Sequence, residues 1–412
     1  MAARHNIAVI GAGIGGLAAA TALVRTGHRV TLYEHFVQSR PVGSGLLLQP
    51  TGLAALDRLG LRARIAALGA RIDRLHGITA RGRIVFDLAY ADLDPALSAI
   101  AVHRAALHGV LWDAFAASGA TLETGRTIVG VDTGPAGRLF LLDGAGQNPA
   151  AQKHGPFDLV VDAAGTHSPL RAVVSGQSAR AFVYGAVWAN VIDIGLAPNT
   201  LAQRYVAARQ MLGYLPVGRM TEDGPALAAL FWSLKPTTHA SWAADFPAWR
   251  AQATQLWPEL GSVIAGLTGP EAFTLAEYQH FTARRPVRGP IVLIGDAAHA
   301  TSPQLGQGAN HALLDALALS DALNSAVDIA SALAAYASAR RAHVRFYQRA
   351  SALMTPLFQS DSSLAATLRD VSFHRLSRFA YLRREMVRML AGLKTGIFTS
   401  RDPARLAGMG LI

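Results

Sequence analysis

The sequence predicts an α/β fold in which two domains are interleaved and helices follow them. The beginning of the chain carries a βαβ pattern: an apolar strand at 6–10, an alanine-rich helix at 14–26 and a β-branched strand at 28–33. A further buried strand with a glycine-rich loop follows near residue 291. The intervening 181–234 stretch is rich in aromatic and β-branched residues with Pro and Gly turns, which is typical of a separate sheet.

The bulk composition fits a folded chain of two domains. The 412 residues exceed what one hydrophobic core usually serves. Hydrophobic residues make up 51% and charged residues 16%, which excludes a disordered chain. There is no cysteine, so disulfides, thiolate catalysis and cysteine-ligated metals are excluded. We therefore expect a cytoplasmic protein without a metal site.

The positive charge is concentrated near the end of the chain. Of the net charge of +11, the stretch from Arg340 to Arg405 carries +9, with 13 basic and four acidic residues. Apolar residues interleave with the arginines at spacings of three to four: Leu376, Phe379, Leu382, Met386 and Leu390. This spacing favours amphipathic helices that pack on a core and leave a solvated arginine face. We expect no nucleic-acid partner and no stable membrane insertion, with binding to an anionic surface as the alternative.

A glycine motif lies between the first strand and the first helix. It reads Gly11-Ala12-Gly13-Ile14-Gly15-Gly16. The first glycine allows a tight turn, the second allows a pyrophosphate to approach the backbone, and the third allows close helix–strand packing. Glu34 ends the second strand, where a carboxylate can bind ribose hydroxyls, and His35 follows it. These residues predict a Rossmann-like site for a dinucleotide but do not separate FAD from NAD.

A second motif occupies residues 289–315. A buried strand ends at Gly295-Asp296, a loop with Pro303 follows, and Gly306-Gln307-Gly308-Ala309-Asn310 opens a helix. The carboxylate can accept hydrogen bonds from a polyol, and the helix start can face an electron-rich group. Two such sites, far apart in the sequence, suit a long ligand that is bound at both ends.

The second motif resembles that of the para-hydroxybenzoate hydroxylase-like family of single-component (group A) FAD-dependent monooxygenases. The resemblance rests on Gly-Asp-Ala-Ala-His, a following Pro, Gly-Gln-Gly-x-Asn and a final Asp. It implies that Asp296 binds the ribityl chain of FAD, that residues 306–310 face the pyrimidine end of the flavin, and that Pro303 borders the oxygen site. We expect His299 to be a buried histidine that holds the loop through backbone hydrogen bonds.

Three further segments are similar to the same family. Gly45 and Leu46, after Pro41-Val42, are expected beside the isoalloxazine, where Gly45 would permit close approach. Arg104 is expected to bind FAD at a helix start. Residues 158–171 keep Gly165, but Ala164 and Asp162 depart from the family pattern, which bears on where the nicotinamide donor binds. Together the motifs predict this cofactor site: Gly11, Gly13, Ile14, Gly15, Gly16, Glu34, His35, Gly45, Leu46, Arg104, Gly165, Gly295, Asp296, Pro303, Gly306, Gln307, Gly308, Ala309 and Asn310.

The resemblance also implies a division of the chain. Residues 1–172 and 286–336 would form the FAD-binding domain, and residues 173–285 a mixed-sheet substrate domain to which residues 81–99 contribute. Residues 337–412 would form a C-terminal helical region. The substrate domain carries no family signature. A phenolic substrate would benefit from a base, and Tyr184, Tyr205, Tyr214 and His280 are available there, but each is expected to be a packing residue and no catalytic residue is assigned.

The implied activity is hydroxylation of a small aromatic or enolic substrate through a flavin C4a-hydroperoxide. FAD would be bound non-covalently, O2 would be consumed and NAD(P)H would visit transiently as the electron donor. The alternatives are an FAD-dependent reductase or dehydrogenase and a non-catalytic flavin protein that sequesters its ligand. A flavin-dependent halogenase is disfavoured because no Trp-x-Trp-x-Ile-Pro segment occurs.

Overall fold

The structure is a computed structural model and describes residues 4–38, 43–144, 152–403 and 406. Within these ranges the chain forms 21 β-strands and 13 α-helices. The strands are β1 (Asn6–Ile10), β2 (Arg29–Glu34), β3 (Gly45–Leu48), β4 (Ala70–Ile72), β5 (Arg74–Thr79), β6 (Ile84–Ala89), β7 (Ala99–His103), β8 (Thr121–Thr124), β9 (Ile128–Thr133), β10 (Leu139–Asp143), β11 (Gln152–Phe157), β12 (Leu159–Asp162), β13 (Arg180–Ala181), β14 (Gly185–Ile192), β15 (Thr200–Val206), β16 (Gln210–Gly218), β17 (Leu227–Leu234), β18 (Thr274–Ala276), β19 (Gln279–His280), β20 (Val287–Arg288) and β21 (Ile291–Leu293). The helices are α1 (Ile14–Arg25), α2 (Pro50–Arg58), α3 (Arg62–Leu68), α4 (Arg104–Ala116), α5 (Arg171–Ser175), α6 (His239–Ala244), α7 (Phe246–Leu256), α8 (Gly261–Ala265), α9 (Asp296–His299), α10 (Gly308–Ser325), α11 (Ile329–Phe358), α12 (Ser363–Ser377) and α13 (Ala380–Leu390).

A six-stranded sheet confirms the predicted nucleotide-binding fold. Its order is β20-β21-β12-β1-β2-β8, and every pair is parallel except β20 with β21. The central strand β1 is mostly apolar and buried on both faces, because helices cover one face of the sheet and the three-stranded sheet of β9, β10 and β11 packs on the other together with α5 and α9. Helix α1 packs on α10, so the two motif-bearing helices are neighbours in space.

The larger sheet has seven strands in the order β18-β14-β17-β16-β15-β5-β6. Neighbours are antiparallel except β15 with β5. It therefore combines the 185–276 segment with the 74–89 hairpin. Side chains alternate between two cores: Trp232 packs on α7, whereas Phe231 faces the three-stranded sheet β3-β7-β4 and the C-terminal helices. The domain boundaries stay a prediction.

Three long helices, α11, α12 and α13, form the end of the described chain. None of the helices in the described ranges is long and apolar enough to cross a membrane. The prediction that the apolar residues between the arginines pack on a core holds for the buried Leu390. It is wrong for Leu376 and Phe379, which are 39% and 64% exposed. The reason is that α12 contacts β6 and α11 along its other side, so Leu376 and Phe379 have no layer to pack on.

Candidate active site

The predicted cofactor residues meet at one edge of the six-stranded sheet. Four neighbouring parallel strands end there: β1 immediately before Gly11, β2 at Glu34, β12 at Asp162 and β21 two residues before Gly295. The carboxyl edge of such a sheet is where ligands bind in open α/β folds. The structure thus brings together the glycine motif and the second motif, which lie far apart in the sequence.

The glycine motif has the geometry of a pyrophosphate loop. Gly11 has φ +95°, and a Cβ there would lie 2.8 Å from the carbonyl oxygen of Ala163. A Cβ on Gly16 would lie 1.8 Å from the carbonyl oxygen of Gly11. By contrast, the space beside Gly13 is open for 4 Å. Because α1 begins at Ile14 without a side-chain cap, its first N–H groups are available to a phosphate.

Glu34 lies directly against this loop. Its Oε2 accepts a hydrogen bond from the Ala12 amide at 2.7 Å, and its Oε1 accepts one from the Phe36 amide at 3.0 Å. The buried carboxylate therefore has a fixed orientation at the end of β2. His35 is exposed beside it and its Nδ1 pairs with the Thr127 hydroxyl at 2.8 Å. This arrangement suits recognition of a ribose next to the pyrophosphate.

Asp296 lies at the other end of the edge. It follows Gly295, which has φ +57°, and its Oδ1 is 3.8 Å from the position that a Cβ on Gly308 would take. Burial raises the pKa of Asp296, and the charges of His299, Arg104 and Arg171 act against that rise. Among the described residues the carboxylate has no side-chain hydrogen-bond partner within the protein, which leaves it free to accept from a polyol.

The turn before α10 is held in place by side chains that do not reach the open edge. Gly306 has φ +59°, and a Cβ there would lie 3.5 Å from the Nε2 of Gln49. Asn310 is fully buried, and its side chain bonds the Gln49 amide and the carbonyls of Leu47 and Gly306. Gln307 donates to the carbonyl of Leu390. The side chain of Asn310 is therefore used within the protein, whereas the Oε1 of Gln307 has no hydrogen-bond partner among the described residues, and the flavin contacts of both residues stay a prediction.

Gly45 lies where β3 meets the seven-stranded sheet. A Cβ there would lie 2.4 Å from Val217 Cγ1 and 2.9 Å from Ala229 Cβ. The glycine therefore permits close approach of the seven-stranded sheet to β3. The adjoining Leu46 is half-buried and pairs with Val102 of β7, whereas Pro41 and Val42 lie outside the described residues.

Arg104 begins α4, and its exposed side chain lies on the cofactor side. Its backbone amide donates to the carbonyl of Ser44 at 2.8 Å, and its Cδ is 3.2 Å from the Cβ position of Gly43. Its charge lowers the pKa of both Asp296 and His108. His108 in turn bonds the carbonyl of Ala12 in the glycine loop at 3.0 Å. Arg104 is thus placed between the glycine loop and Asp296.

The segment around Gly165 is a closed turn. Asp162 is fully buried and accepts hydrogen bonds from the Ala164 amide, the Ser168 hydroxyl and the Leu170 amide. Arg171, which the sequence analysis did not place in the site, is buried and donates to the carbonyls of Gly165 and Asp296 at 3.0 and 2.9 Å. The carboxylate of Asp162, where the sequence departs from the family pattern, is therefore bonded within the turn. Neither Asp162 nor Arg171 has a side chain available to a nicotinamide.

The sequence analysis also missed a buried polar network behind the second motif. Asp315 accepts hydrogen bonds from the Gly295 amide (2.8 Å), His299 Nε2 (2.6 Å) and Arg340 Nε (2.7 Å). His299 is buried as predicted, but its ring is bonded to this carboxylate rather than to backbone. Burial alone would raise the pKa of Asp315, yet His299 and Arg340 outweigh it and hold that pKa well below its usual range.

The network continues to the C-terminal helices. Arg340 donates to the Nδ1 atoms of His343 and His311 at 2.8 and 3.0 Å, and His343 Nε2 donates to the carbonyl of Gly392. Burial lowers the pKa of both histidines well below the usual value, and neighbouring positive charges lower it further. Both rings are therefore neutral acceptors for Arg340. The only member of this network that the sequence motif indicated was its final residue, Asp315. Its partners His299 and Arg340 lie 16 and 25 residues away in the chain, so no short motif contains both.

Comparison with known proteins identifies the family. The family model described as an FAD binding domain matches residues 4–351. The chain belongs to this family.

Curated relatives of the same family are enzymes. The chain is 30% identical over 357 residues to a putative 2-heptyl-3-hydroxy-4(1H)-quinolone synthase of Rhodococcus erythropolis, covering 82% of this chain and 84% of the relative. It is 28% identical over 348 residues to an FAD-dependent urate hydroxylase of Klebsiella pneumoniae, covering 82% and 86%. The crystal structure of HpxO from the same organism, complexed with FAD and uric acid, superposes with a TM-score of 0.78 at 23% identity, over 95% of this chain and 98% of that chain. The present chain is an FAD-dependent monooxygenase of this family.

FAD fits the residues at the sheet edge. The open space beside Gly13 and the free N–H groups of α1 suit the pyrophosphate, and Glu34 and Asp296 offer carboxylates on either side of it. The Nε2 of the buried Gln49 lies near Gly306 and has no hydrogen-bond partner among the described residues, so a donor is in place at the flavin end.

Asp296→Ala is expected to weaken FAD binding. Loss of hydrogen bonds to a charged acceptor costs about 1.5–3 kcal/mol, which is roughly 10- to 100-fold in Kd. FAD titration of the apoprotein measures the Kd. The matched control is Asp57→Ala, which removes an exposed carboxylate on α2. An unchanged Kd for Asp296→Ala would show that the ribityl chain lies elsewhere.

Acidification is expected to destabilise the protein through the buried histidines. Because the pKa values of His311 and His343 are lowered by folding, the unfolded chain binds their protons first, and stability falls as pH drops through the unfolded value of about 6.5. His311→Gln should reduce the slope of the free energy of unfolding against pH by about 1.4 kcal/mol per pH unit.

The measurement is the free energy of unfolding in urea between pH 7.5 and 5.0. Other histidines with lowered pKa contribute to both proteins and cancel in the difference. His167→Gln replaces an exposed histidine as the control. Equal slopes in wild type and His311→Gln would mean that His311 is not held neutral by the fold.

Proposed function

We propose that the enzyme hydroxylates a small, planar aromatic or nitrogen-heteroaromatic substrate that carries an enolisable hydroxyl group, using O2 and NAD(P)H. The observation that carries this is the close packing of the seven-stranded sheet on β3, where Gly45 contacts Val217 and Ala229. Through this contact, the sheet face that carries Phe231 is proposed to lie next to the part of the cofactor site that holds the flavin.

The proposed substrate surface lies on strands β14 and β17. Trp188 and Phe231 are cross-strand partners whose rings stack at 4.5 Å with an interplanar angle of 29°. Phe231 shares its sheet face with Ala229, and Trp188 shares it with Asn190. Asn190 is exposed and pairs with the Ser44 hydroxyl at 2.5 Å, directly before β3. A flat ring stacked on Trp188 would thus have a polar amide beside it.

Substrates of related proteins agree with this chemistry. Relatives are described as a urate hydroxylase, a 3-amino-4-hydroxybenzoate 2-monooxygenase and quinolone synthases. A further structure is a complex with 2-aminobenzoylacetate. These are small molecules with electron-rich rings or enolisable groups, and the same class is proposed for this enzyme.

The proposed division of labour follows from the geometry. Bound FAD supplies the redox chemistry. The N–H groups at the start of α10 stabilise negative charge on the ring that they face. The apolar wall around Phe231 and Leu215 excludes water from the reacting atoms. We also propose that residues 173–285, together with 81–99, carry substrate recognition, because β6, which lies within 81–99, shares the sheet of Trp188.

The tyrosines of this region do not serve as the base in the proposed mechanism. Burial raises the pKa of Tyr184, Tyr205 and Tyr214. Tyr184 and Tyr214 donate to Asp361 and Asp193, and Tyr205 donates to Gln203. They remain packing residues, as does His280, whose pKa is lowered by burial. The nicotinamide donor is proposed to visit the exposed side of the edge transiently, and the enzyme to act in the cytoplasm.

Label from oxygen gas tests the reaction. With a phenol or hydroxyquinolone that stimulates NAD(P)H oxidation, the product is expected to carry one oxygen from ¹⁸O2, detected by mass spectrometry. Substrate should also raise the rate of NAD(P)H oxidation. Label from H2¹⁸O instead, or turnover without O2, would favour the reductase alternative. FAD binding without any turnover would favour a sequestering protein.

Trp188→Leu tests the substrate surface. Loss of one stacked ring costs about 0.5–1.5 kcal/mol beyond the lost area, so KM should rise roughly 3- to 10-fold or more while FAD binding stays unchanged. Ile192→Ala, at the exposed end of the same strand, is the matched control. A Trp188→Leu enzyme with wild-type KM would place the substrate on another surface.

A further inference from the structure

Helix α12 exposes a surface that is both apolar and basic. We call it the C-terminal face and define it by residues on the outer side of α12 and the turn after it: Leu364, Leu368, Arg375, Arg378 and Phe379. All five are exposed. Helices α11 and α12 are joined by a short connection, and each helix contacts the next.

The apolar part of the C-terminal face is well exposed. Leu364 is 81% exposed, Leu368 61% and Phe379 64%. At about 100° per residue, Leu364, Leu368 and Arg375 lie within roughly 40° of one another around α12. The opposite side of α12 carries the buried Ala366 and Arg369. The exposed leucines therefore form a stripe on the outer side of a helix that is already packed on its inner side.

The arginines of the C-terminal face are not neutralised within the protein. Arg375 and Arg378 form no ion pair with any residue that the structure describes. The nearby acids are already engaged: Asp370 with Arg369, Asp361 with Lys235, and Glu385 with both Arg388 and Lys394. The C-terminal face therefore keeps a net positive charge that only an external anion can balance.

We propose that the C-terminal face binds the surface of an anionic membrane. Leucine and aromatic side chains enter the headgroup region while arginines beside them reach lipid phosphates, which is how amphipathic helices bind at an interface without crossing it. A nucleic acid would match the arginines but not leucines in the same stripe. A second copy of the chain, related by a two-fold axis, would place these unpaired arginines against one another.

Vesicle co-sedimentation of the FAD-loaded full-length protein tests the proposal. The expected result is binding to vesicles of phosphatidylglycerol and phosphatidylcholine in equal parts and no binding to pure phosphatidylcholine. Binding should be lost as NaCl rises from 0.1 to 0.5 M, because the electrostatic screening length falls from roughly 10 to roughly 4 Å. Arg375→Glu with Arg378→Glu should reduce the partition coefficient at least about tenfold. Leu364→Ser with Leu368→Ser should reduce it similarly.

Matched variants separate the C-terminal face from general charge and from misfolding. Arg29→Glu with Arg62→Glu reverses two exposed arginines elsewhere and should bind vesicles as the wild type does. Each variant is first checked for an unchanged flavin spectrum and Tm. Absence of vesicle binding, equal loss in the Arg29/Arg62 control, or tighter salt-dependent binding to duplex DNA would each overturn the proposal. So would a dimer, seen by sedimentation, that Leu364→Ser with Leu368→Ser dissociates.

Discussion

The carboxylate of Asp315 is the interaction on which the active-site edge depends. It is fully buried and receives three hydrogen bonds, from the Gly295 amide, His299 and Arg340. An isolated buried carboxylate would cost several kcal/mol, whereas one with a complete set of donors can be retained. Each donor belongs to a different part of the site: the turn that presents Asp296, the short helix after it, and the long helix α11. One side chain therefore fixes the relative positions of all three.

The C-terminal helices are part of this arrangement rather than an appendage. Through Arg340 and His343 the network reaches the carbonyl of Gly392, and Gln307 of the flavin-side turn bonds the carbonyl of Leu390. The inner side of these helices thus supports the cofactor site, while their outer side carries the basic and apolar C-terminal face. An enzyme bound to a membrane through that face would hold its active site at a fixed distance from the lipid surface.

The two sheets supply different parts of the chemistry. The parallel sheet places backbone N–H groups and carboxylates at one edge, which suits a long phosphorylated cofactor. The antiparallel sheet supplies a flat aromatic face, with Trp188 stacked on Phe231. Gly45 lies where the antiparallel sheet packs on the separate three-stranded sheet β3-β7-β4, and the absence of a Cβ allows Val217 and Ala229 to pack directly on β3. A larger residue there would push the aromatic face away from the cofactor edge.

The sequence by itself determined the cofactor fold and predicted residues for the cofactor site, because the glycine motif, Glu34 and Asp296 act through local geometry at strand ends and helix starts. Such geometry depends on short spacings, which a sequence displays. Only the tertiary structure decided what surrounds them. Three contacts join elements that are separated in the chain, so no local sequence pattern predicts them: Asp315 with Arg340, Arg171 with the Asp296 carbonyl, and Gly45 with Val217. The tertiary structure also decided that Leu376 and Phe379 face outward, since apolar spacing predicts a helix face but not the presence of a layer to cover it.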